Sequence, residues 1–379
     1  MVKIPLAKPD LGEDEIQLVS ETIRSGWITQ GPRVAEFERE FAGYVGARHA
    51  VAVSSCTTAL HLSLRVLGVG EGDEIIVPPH SFIASANAIR YCGAKPVFVD
   101  IDARTLNMEP GRIPPAISAR TKAIMVVHQV GRPADLEAIS AIAQRHGLPL
   151  IEDAACAIGS EYRGRKIGDN HYSSLVCFSF HPRKIVSTGD GGMITTDNEA
   201  WNQRLRRLRQ QGMSVNDLQR HQSAVVITEE YVELGYNYRL TDLQAAMGLA
   251  QLRRLPQILA RRRELAAAYD RALAGVLQLE FFQEPAEARW NQQTYLVRLP
   301  NATAAQRDAA MQKLLEAGIA TRRGIMSIHR EPCYTEIYGA QKFPESERAS
   351  DQCICLPLYA QMTANEQSYV VEHFRRLLA

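Results

Sequence analysis

The chain has 379 residues, 46% hydrophobic and 22% charged, a composition that is ordinary for a globular protein with a large core. Its 43 basic and 42 acidic residues give a formal net charge of +1, which excludes a global field that would attract nucleic acid or anionic lipid. The seven cysteines are odd in number and scattered, which argues against a disulfide framework.

The N-terminal segment has charges and prolines where a signal peptide needs an apolar stretch, and no run of residues reaches membrane-spanning length. No Cys-x-x-Cys pair is present to hold zinc. We therefore expect a cytoplasmic protein without a membrane partner, a nucleic-acid partner or a bound metal.

Between about residues 50 and 200, short apolar runs alternate with helical segments, which is typical of an α/β fold with a mostly parallel sheet. Most runs are continuously apolar, as buried strands are. The predicted strands are 49–53, 74–77, 95–99, 121–127, 148–152, 174–180 and 192–195, and the predicted crossover helices are 57–67, 83–92 and 135–146.

The segment 240–274 is rich in Ala, Leu, Gln and Arg and predicts a long helix that bridges two domains and that Pro256 should kink or split. After it, a strand at 293–299 and helices at 304–318 and 363–378 predict a smaller α+β domain. We place a large domain at 1–250, and the bridging helix with the small domain at 251–379.

Two local patterns predict a structural role and no binding site. The basic cluster from Arg204 to Arg209 lies in a helical pattern and predicts a solvated helix face. Cys353 and Cys355 are two apart in an apolar run, so on a strand they would share one face and pack in a core.

The common nucleotide-binding motifs are absent. Gly68-Val-Gly-Glu-Gly-Asp73 lacks the last glycine of a dinucleotide fingerprint and follows a helix, whereas the fingerprint follows a strand. Gly159-Ser-Glu-Tyr-Arg-Gly-Arg-Lys166 lacks the Gly-Lys-Ser/Thr ending of a P-loop.

The informative feature is the apolar strand LPLIED, which ends in Asp153 and is followed about thirty residues later by Lys184 in CFSFHPRKIVSTGDGG. Pyridoxal 5′-phosphate (PLP) chemistry needs a lysine to bind the cofactor aldehyde and a carboxylate to keep the pyridine nitrogen protonated. The run Ser54-Ser-Cys-Thr-Thr58 before a helix is a candidate phosphate site, and Ser179 offers one more hydroxyl.

Together these blocks resemble the sugar-nucleotide aminotransferases of the DegT/StrS type, which are PLP enzymes of fold type I. The resemblance runs nearly end to end, through SGWITQGP, VSSCTTALHLSL, GDEIIVPPHSFIASANAI, GAKPVFVDID, TKAIMVVHQVG, IEDAACAIGSEYRG, FSFHPRKIVSTGDGGMITT, GYNYRLTDLQAAMGLAQL and CICLPLYAQMT.

The resemblance implies roles for individual residues. Lys184 and Asp153 would be the catalytic pair, with Lys184 bound to the cofactor and Asp153 at its pyridine nitrogen. The other cofactor contacts that it implies are a ring-stacking Phe82, phosphate contacts from Thr57, Thr58 and Ser179, a Cys156 close to cofactor and substrate, and Asn237 donated by the partner chain of a homodimer with shared active sites. Arg239 and His329 would lie toward the substrate.

Two departures from the family pattern concern cysteines. Cys56 stands where the phosphate loop commonly has glycine, a change that backbone donation tolerates if the turn does not need glycine's dihedral angles. Cys156 stands where the family usually has His or Gln, and a thiol is a poorer hydrogen-bond donor than either. Substrate orientation is therefore the feature that these departures affect most.

The resemblance implies a ping-pong aminotransferase that moves an amino group from glutamate to a nucleotide-linked 4-keto-6-deoxy sugar. A 3-keto sugar or a cyclitol ketone is an alternative acceptor. A PLP-dependent sugar dehydratase would have histidine in place of Lys184, and a catalytically silent PLP-binding regulator would not need the intact Lys184, Asp153 and Ser179.

Overall fold

The structure is a computed structural model that describes residues 3–215, 220–221 and 223–378. Its strands, in chain order, are β1 (His49–Val53), β2 (Glu74–Val77), β3 (Lys95–Phe98), β4 (Thr121–Val127), β5 (Leu150–Asp153), β6 (Glu161–Tyr162), β7 (Arg165–Lys166), β8 (Leu175–Ser179), β9 (Gly192–Thr196), β10 (Glu280–Phe281), β11 (Ala288–Arg289), β12 (Tyr295–Arg298), β13 (Arg322–Arg323) and β14 (Cys353–Leu356).

The helices within the described residues are α1 (Glu13–Ser25), α2 (Pro32–Val45), α3 (Cys56–Val66), α4 (Ala84–Tyr91), α5 (Leu136–Arg145), α6 (Glu199–Leu208), α7 (Asp242–Leu273), α8 (Ala304–Glu316), α9 (Pro332–Tyr338), α10 (Pro344–Gln352) and α11 (Ala364–Leu378). Within that part of the chain, none of them combines the length and the apolarity that crossing a membrane requires.

A seven-stranded sheet forms the centre of the molecule, in the order β1-β9-β8-β5-β4-β2-β3. The neighbours from β8 to β3 are parallel, whereas β9 runs antiparallel to both β1 and β8. The predicted α/β class is confirmed, and every predicted strand of this sheet lies within two residues of an observed one. Side chains of β2, β5, β8 and β9 are buried throughout, because helices cover both faces of the sheet.

The long helix α7 connects two cores. Its residues from Ala245 to Leu259 pack in the core of the main sheet, and those from Leu265 to Leu273 pack in the core of the second sheet. The helix runs unbroken through Pro256, so the predicted split does not occur; Pro256 lies on the exposed face. The domain boundary at residue 250 stays a prediction.

The second sheet has the order β10-β12-β14-β13 and is antiparallel. Along β14, Ile354 and Leu356 pack in the core with α7, α8 and α11, while Cys353 and Cys355 face a separate cluster with Val130. The two cysteines thus share one buried face, as predicted.

A buried ion-pair network fixes the edge strand β1. Glu38 on α2 lies between Arg209, which donates to its Oε1, and Arg206, whose Nη1 is 2.6 Å from its Oε2. Glu38 also accepts the Ala52 N–H of β1 (2.9 Å). The prediction of a solvated face is wrong for Arg209, which is 4% exposed because this carboxylate compensates its charge.

Replacing Glu38 with glutamine is expected to lower the free energy of unfolding by about 3–5 kcal/mol, because Arg209 would stay buried without a carboxylate. Burial alone would raise the pKa of Glu38, but Arg209 and Arg206 outweigh it and hold that pKa below its ordinary value. The stabilisation of the fold by the Glu38 carboxylate is therefore fully present above the ordinary carboxyl pKa. It is lost as the pH falls through the lowered pKa of Glu38.

Urea unfolding of both proteins, repeated from pH 7 into the acid range, measures this difference, which should shrink as Glu38 becomes protonated. E372Q on α11, which breaks an exposed pair with Arg376, is the matched control and should leave stability nearly unchanged. A wild-type protein no more stable than E38Q at pH 7 would contradict the expectation.

Candidate active site

A cavity of about 290 Å³ lies at the carboxyl ends of the parallel strands. Asp153 and Ser179, the last residues of β5 and β8, line one side, and Arg322 of β13 and Cys355 of β14 line the other. Because parallel strands end at a common edge, side chains distant in sequence meet there, and a ligand can bind between the two sheets.

Asp153 is 5% exposed, and its carboxylate accepts two hydrogen bonds. Ser85 Oγ on α4 donates to Oδ2 (2.7 Å), and the Ala155 N–H donates to Oδ1 (3.1 Å). These donors hold the carboxylate in one orientation at the end of β5, facing the cavity.

Lys184 follows β8 in a turn where its N–H donates to the His181 carbonyl (2.8 Å). Its Nζ donates to Cys156 Sγ (3.0 Å). Burial alone would lower the pKa of Lys184, but the Cys156 sulfur and the Asp153 carboxylate outweigh it and raise the pKa above its ordinary value. The structure thus brings the predicted pair, Lys184 and Asp153, into one cavity, with the unusual Cys156 against the amine.

Two side chains that sequence reasoning missed hold the lysine and cysteine loops. Gln293 accepts the Ile185 N–H (3.1 Å) and donates to the Arg183 carbonyl (2.7 Å), so it brackets Lys184 from both sides. Asn291 donates to the Cys156 carbonyl (2.7 Å). The only sequence signal was a polar triplet, Asn291-Gln-Gln293, one residue before the apolar strand β12.

A Gln293→Ala variant is expected to turn over about ten-fold more slowly with little change in cofactor affinity. It leaves the buried Ile185 N–H and the partly buried Arg183 carbonyl without their partner, which also costs about 1–3 kcal/mol of stability. Steady-state kinetics and cofactor titration separate the two effects. Gln312→Ala, which removes an exposed contact to Glu316 on α8, is the control and should change neither quantity.

Most of the residues predicted to bind the phosphate lie beside the cavity. Ser55, Cys56, Thr57 and Ser179 all line the cavity. A Cβ on Gly192 would lie 2.5 Å from the Ser55 carbonyl oxygen, so β9 can pass this loop only with glycine there. Cys56 is the first residue of α3, and its place in regular helix is why it can stand where glycine is common.

Thr58 does not line the cavity. Its N–H donates to Ser55 Oγ (3.2 Å) and its hydroxyl donates to the Ser55 carbonyl (2.7 Å), so its side chain caps the helix.

Phe82, just before α4, lines the cavity and is 54% exposed. A large aromatic side chain left this open beside a cavity offers a face for a planar ring.

Besides Thr58, three predicted residues lie outside the lining of the cavity: Asn237, Arg239 and His329. Asn237 is exposed and accepts from Arg239 Nε (3.2 Å). His329, expected near the substrate entrance, is 3% exposed, with its ring against Phe343 and its Nε2 3.0 Å from Glu347 Oε1. Burial in this contact keeps the His329 side chain from the cavity.

The residues of the cavity fit PLP group by group. Lys184 would hold its aldehyde, Asp153 its pyridine nitrogen and Phe82 its ring face. The N-terminus of α3 with Ser179 would hold its phosphate, since helix N-termini favour anions. An amine, a carboxylate, an open aromatic face and an anion site in one cavity of this size match the cofactor.

Comparisons with known proteins agree with this fit. The model of the DegT/DnrJ/EryC1/StrS aminotransferase family matches residues 9–375. The spore coat polysaccharide biosynthesis protein SpsC of Bacillus subtilis (strain 168) is 39% identical over 381 residues, covering 99% of this chain and 97% of SpsC.

Solved structures agree as well. The aminotransferase TlmJ from Streptoalloteichus hindustanus superposes with a TM-score of 0.91 at 36% identity, covering 99% of this chain and 98% of TlmJ. Spr1654 from Streptococcus pneumoniae, named as a sugar aminotransferase and solved in its PMP form, superposes with a TM-score of 0.94 at 30% identity, covering 99% of both chains. The chain belongs to the DegT/DnrJ/EryC1/StrS aminotransferase family and is a PLP-dependent aminotransferase.

Proposed function

We propose that this enzyme transfers an amino group from glutamate to the ketone of a nucleotide-linked 4-keto-6-deoxy sugar. The observation that carries the proposal is the cavity that holds Lys184, Asp153 and Phe82 together. The names of SpsC, a polysaccharide biosynthesis protein, and of Spr1654, a sugar aminotransferase, support a sugar as the acceptor.

The cofactor supplies an aldehyde that binds amines covalently and a protonated ring that accepts electrons from the carbon next to the bound amine. Lys184 Nζ takes the proton from the α-carbon of the amino donor and, in the second half of the cycle, returns a proton to the acceptor's carbon. Asp153, held by Ser85, keeps the ring nitrogen protonated. Cys156 Sγ lies against the Lys184 amine and orients it between transfers.

The enzyme is proposed to act as a homodimer in which each site receives Asn237 of the other chain. Asn237 is exposed and lies outside the cavity of its own chain. Large apolar side chains are exposed nearby in sequence, among them Val226 at 97% and Leu234 at 84%. Apolar side chains left this open are expected to be covered where two subunits meet.

Mixing inactive N237A and K184A dimers under exchange conditions tests the shared site. The mixed dimer has one site with both Lys184 and Asn237 intact, so activity should reappear. Activity that stays absent while mass spectrometry shows mixed dimers would contradict the exchange of Asn237.

The acceptor is tested by incubating the PLP form with glutamate and a panel of nucleotide 4-keto sugars, 3-keto sugars and cyclitol ketones. A mass change that shows replacement of the ketone by an amine on a 4-keto sugar supports the proposal. The same change only on 3-keto sugars or cyclitol ketones overturns it. Failure to form the pyridoxamine form with any amino donor would favour a silent regulator. Loss of a hydroxyl without amination would favour a dehydratase, against which Lys184 argues.

A further inference from the structure

Arg322 on β13 is a half-buried cation on the wall of the cavity. None of the residues that the structure describes forms a hydrogen bond or an ion pair with its guanidinium. Its neighbour Arg323 is exposed and pairs with Glu331 (3.5 Å). The two adjacent arginines thus differ, since the one that faces the cavity is the one without an anion.

The surroundings of Arg322 disfavour a charged guanidinium that has no anionic partner. Burial lowers the pKa of Arg322, and the positive charge of Arg183, which also lines the cavity, lowers it further. A guanidinium taken partly out of water beside a second cation is stabilised only when an anion joins it. The missing partner is therefore an anionic group that enters the cavity with a ligand.

Arg322 borders the same cavity as the reactive amine. Arg322, Cys156 and Lys184 all line this space of about 290 Å³, and Cys156 Sγ is 3.0 Å from Lys184 Nζ. A ligand whose anion is held by Arg322 and whose carbon reacts at Lys184 therefore has to span only this cavity.

An α-amino acid meets this requirement because its carboxylate is attached to the carbon that bears the amine. The diphosphate of a nucleotide sugar lies several bonds from the ketone. We propose that Arg322 binds the α-carboxylate of the amino donor, an inference that rests on the proposed aminotransfer from an amino acid. A guanidinium can hold a carboxylate through two parallel hydrogen bonds, which also fixes the direction of the α-carbon.

The two half-reactions of R322Q test this role separately. The PLP form is mixed with L-glutamate and with L-alanine, whose only carboxylate is the α one, and conversion to the pyridoxamine form is followed by absorbance. For both donors the half-saturating concentration should rise roughly 10- to 100-fold, the loss expected for a charge-assisted contact. R322K keeps the charge but loses the planar fork and should give an intermediate rise.

The second arm uses an amine without a carboxylate. The amino-sugar product, run in reverse against the PLP form, should convert at the same concentration in R322Q and in the wild-type enzyme. A matched control is R323Q, which removes the exposed neighbour and should leave both arms unchanged.

Each other outcome overturns the proposal. Equal losses with amino acids and with the amino sugar would mean that Arg322 positions the site generally. A loss with the amino sugar alone would assign it to the sugar substrate. A loss with glutamate but not alanine would assign it to the side-chain carboxylate.

Failure of the proposed function looks different, since the wild-type enzyme would then convert with no amino acid. In that case calorimetric titration with 2-oxoglutarate decides the carboxylate site. Equal binding, or no binding, by the wild-type protein and R322Q would overturn it.

Discussion

A Lys184→Ala enzyme is expected to lose turnover by about four orders of magnitude, the upper end for removing a group that moves protons. The reason is local, because Lys184 is the lysine in the cavity lining and its amine contacts Cys156 within 3.0 Å. Release of 2-oxoglutarate from glutamate in the presence of the ketone acceptor measures the loss. Borohydride treatment should fix the cofactor to a wild-type peptide that contains residue 184, and to no peptide of the variant.

Lys122 supplies the control for this experiment, because it is exposed on β4 and lies outside the cavity lining. K122A should keep both turnover and borohydride fixation at residue 184. If the cofactor were instead fixed to another lysine in K184A, the assignment of Lys184 would be wrong. Exogenous methylamine added to K184A should restore part of the rate, because a small amine can replace the missing proton carrier.

The strands of the main sheet were predictable because burial on both faces leaves continuous apolar runs with turn residues between them. The direction of β9 was not, since a buried strand has the same composition whether it runs parallel or antiparallel. The predicted split of α7 at Pro256 does not occur, because packing along a 32-residue helix compensates one lost hydrogen bond. The burial of Arg209 depends on Glu38, 171 positions away.

In the site, chemistry and the family pattern together predicted residues that the reaction requires, and the structure brings three of them, Lys184, Asp153 and Ser179, into one cavity. Residues that act by supporting a loop leave no such pattern. Gln293 holds the backbone on both sides of Lys184 from more than a hundred positions away, and the polar triplet around it does not by itself mark a site. Thr58 and His329 matched the family pattern by position. Their side chains instead contact the Ser55 carbonyl and the Glu347 carboxylate.

Replacing Asp153 with asparagine is expected to lower kcat by about 10²–10³-fold, the range for removing one electrostatic contact that strengthens during the reaction. An amide has nearly the same shape, so the end of β5 should keep its conformation. However, an amide cannot hold a proton on the cofactor ring, so proton removal from the amino donor becomes slow. Single-turnover mixing with glutamate isolates that step, and cofactor titration shows whether binding also changes.

Ser85→Ala sharpens the interpretation of D153N. It deletes the 2.7 Å hydrogen bond to Asp153 Oδ2 but leaves the carboxylate itself, so only its orientation is loosened. We expect a loss of about ten-fold, short of that in D153N, because about 1.5 kcal/mol, the lower end for a hydrogen bond to a charged group, corresponds to that factor. If D153N kept a single-turnover rate within three-fold of the wild-type rate at saturating cofactor, the carboxylate would not control the ring nitrogen. Because Lys184 would still bind the cofactor in D153N, borohydride fixation at residue 184 should persist there, which separates the electronic role of Asp153 from the covalent role of Lys184.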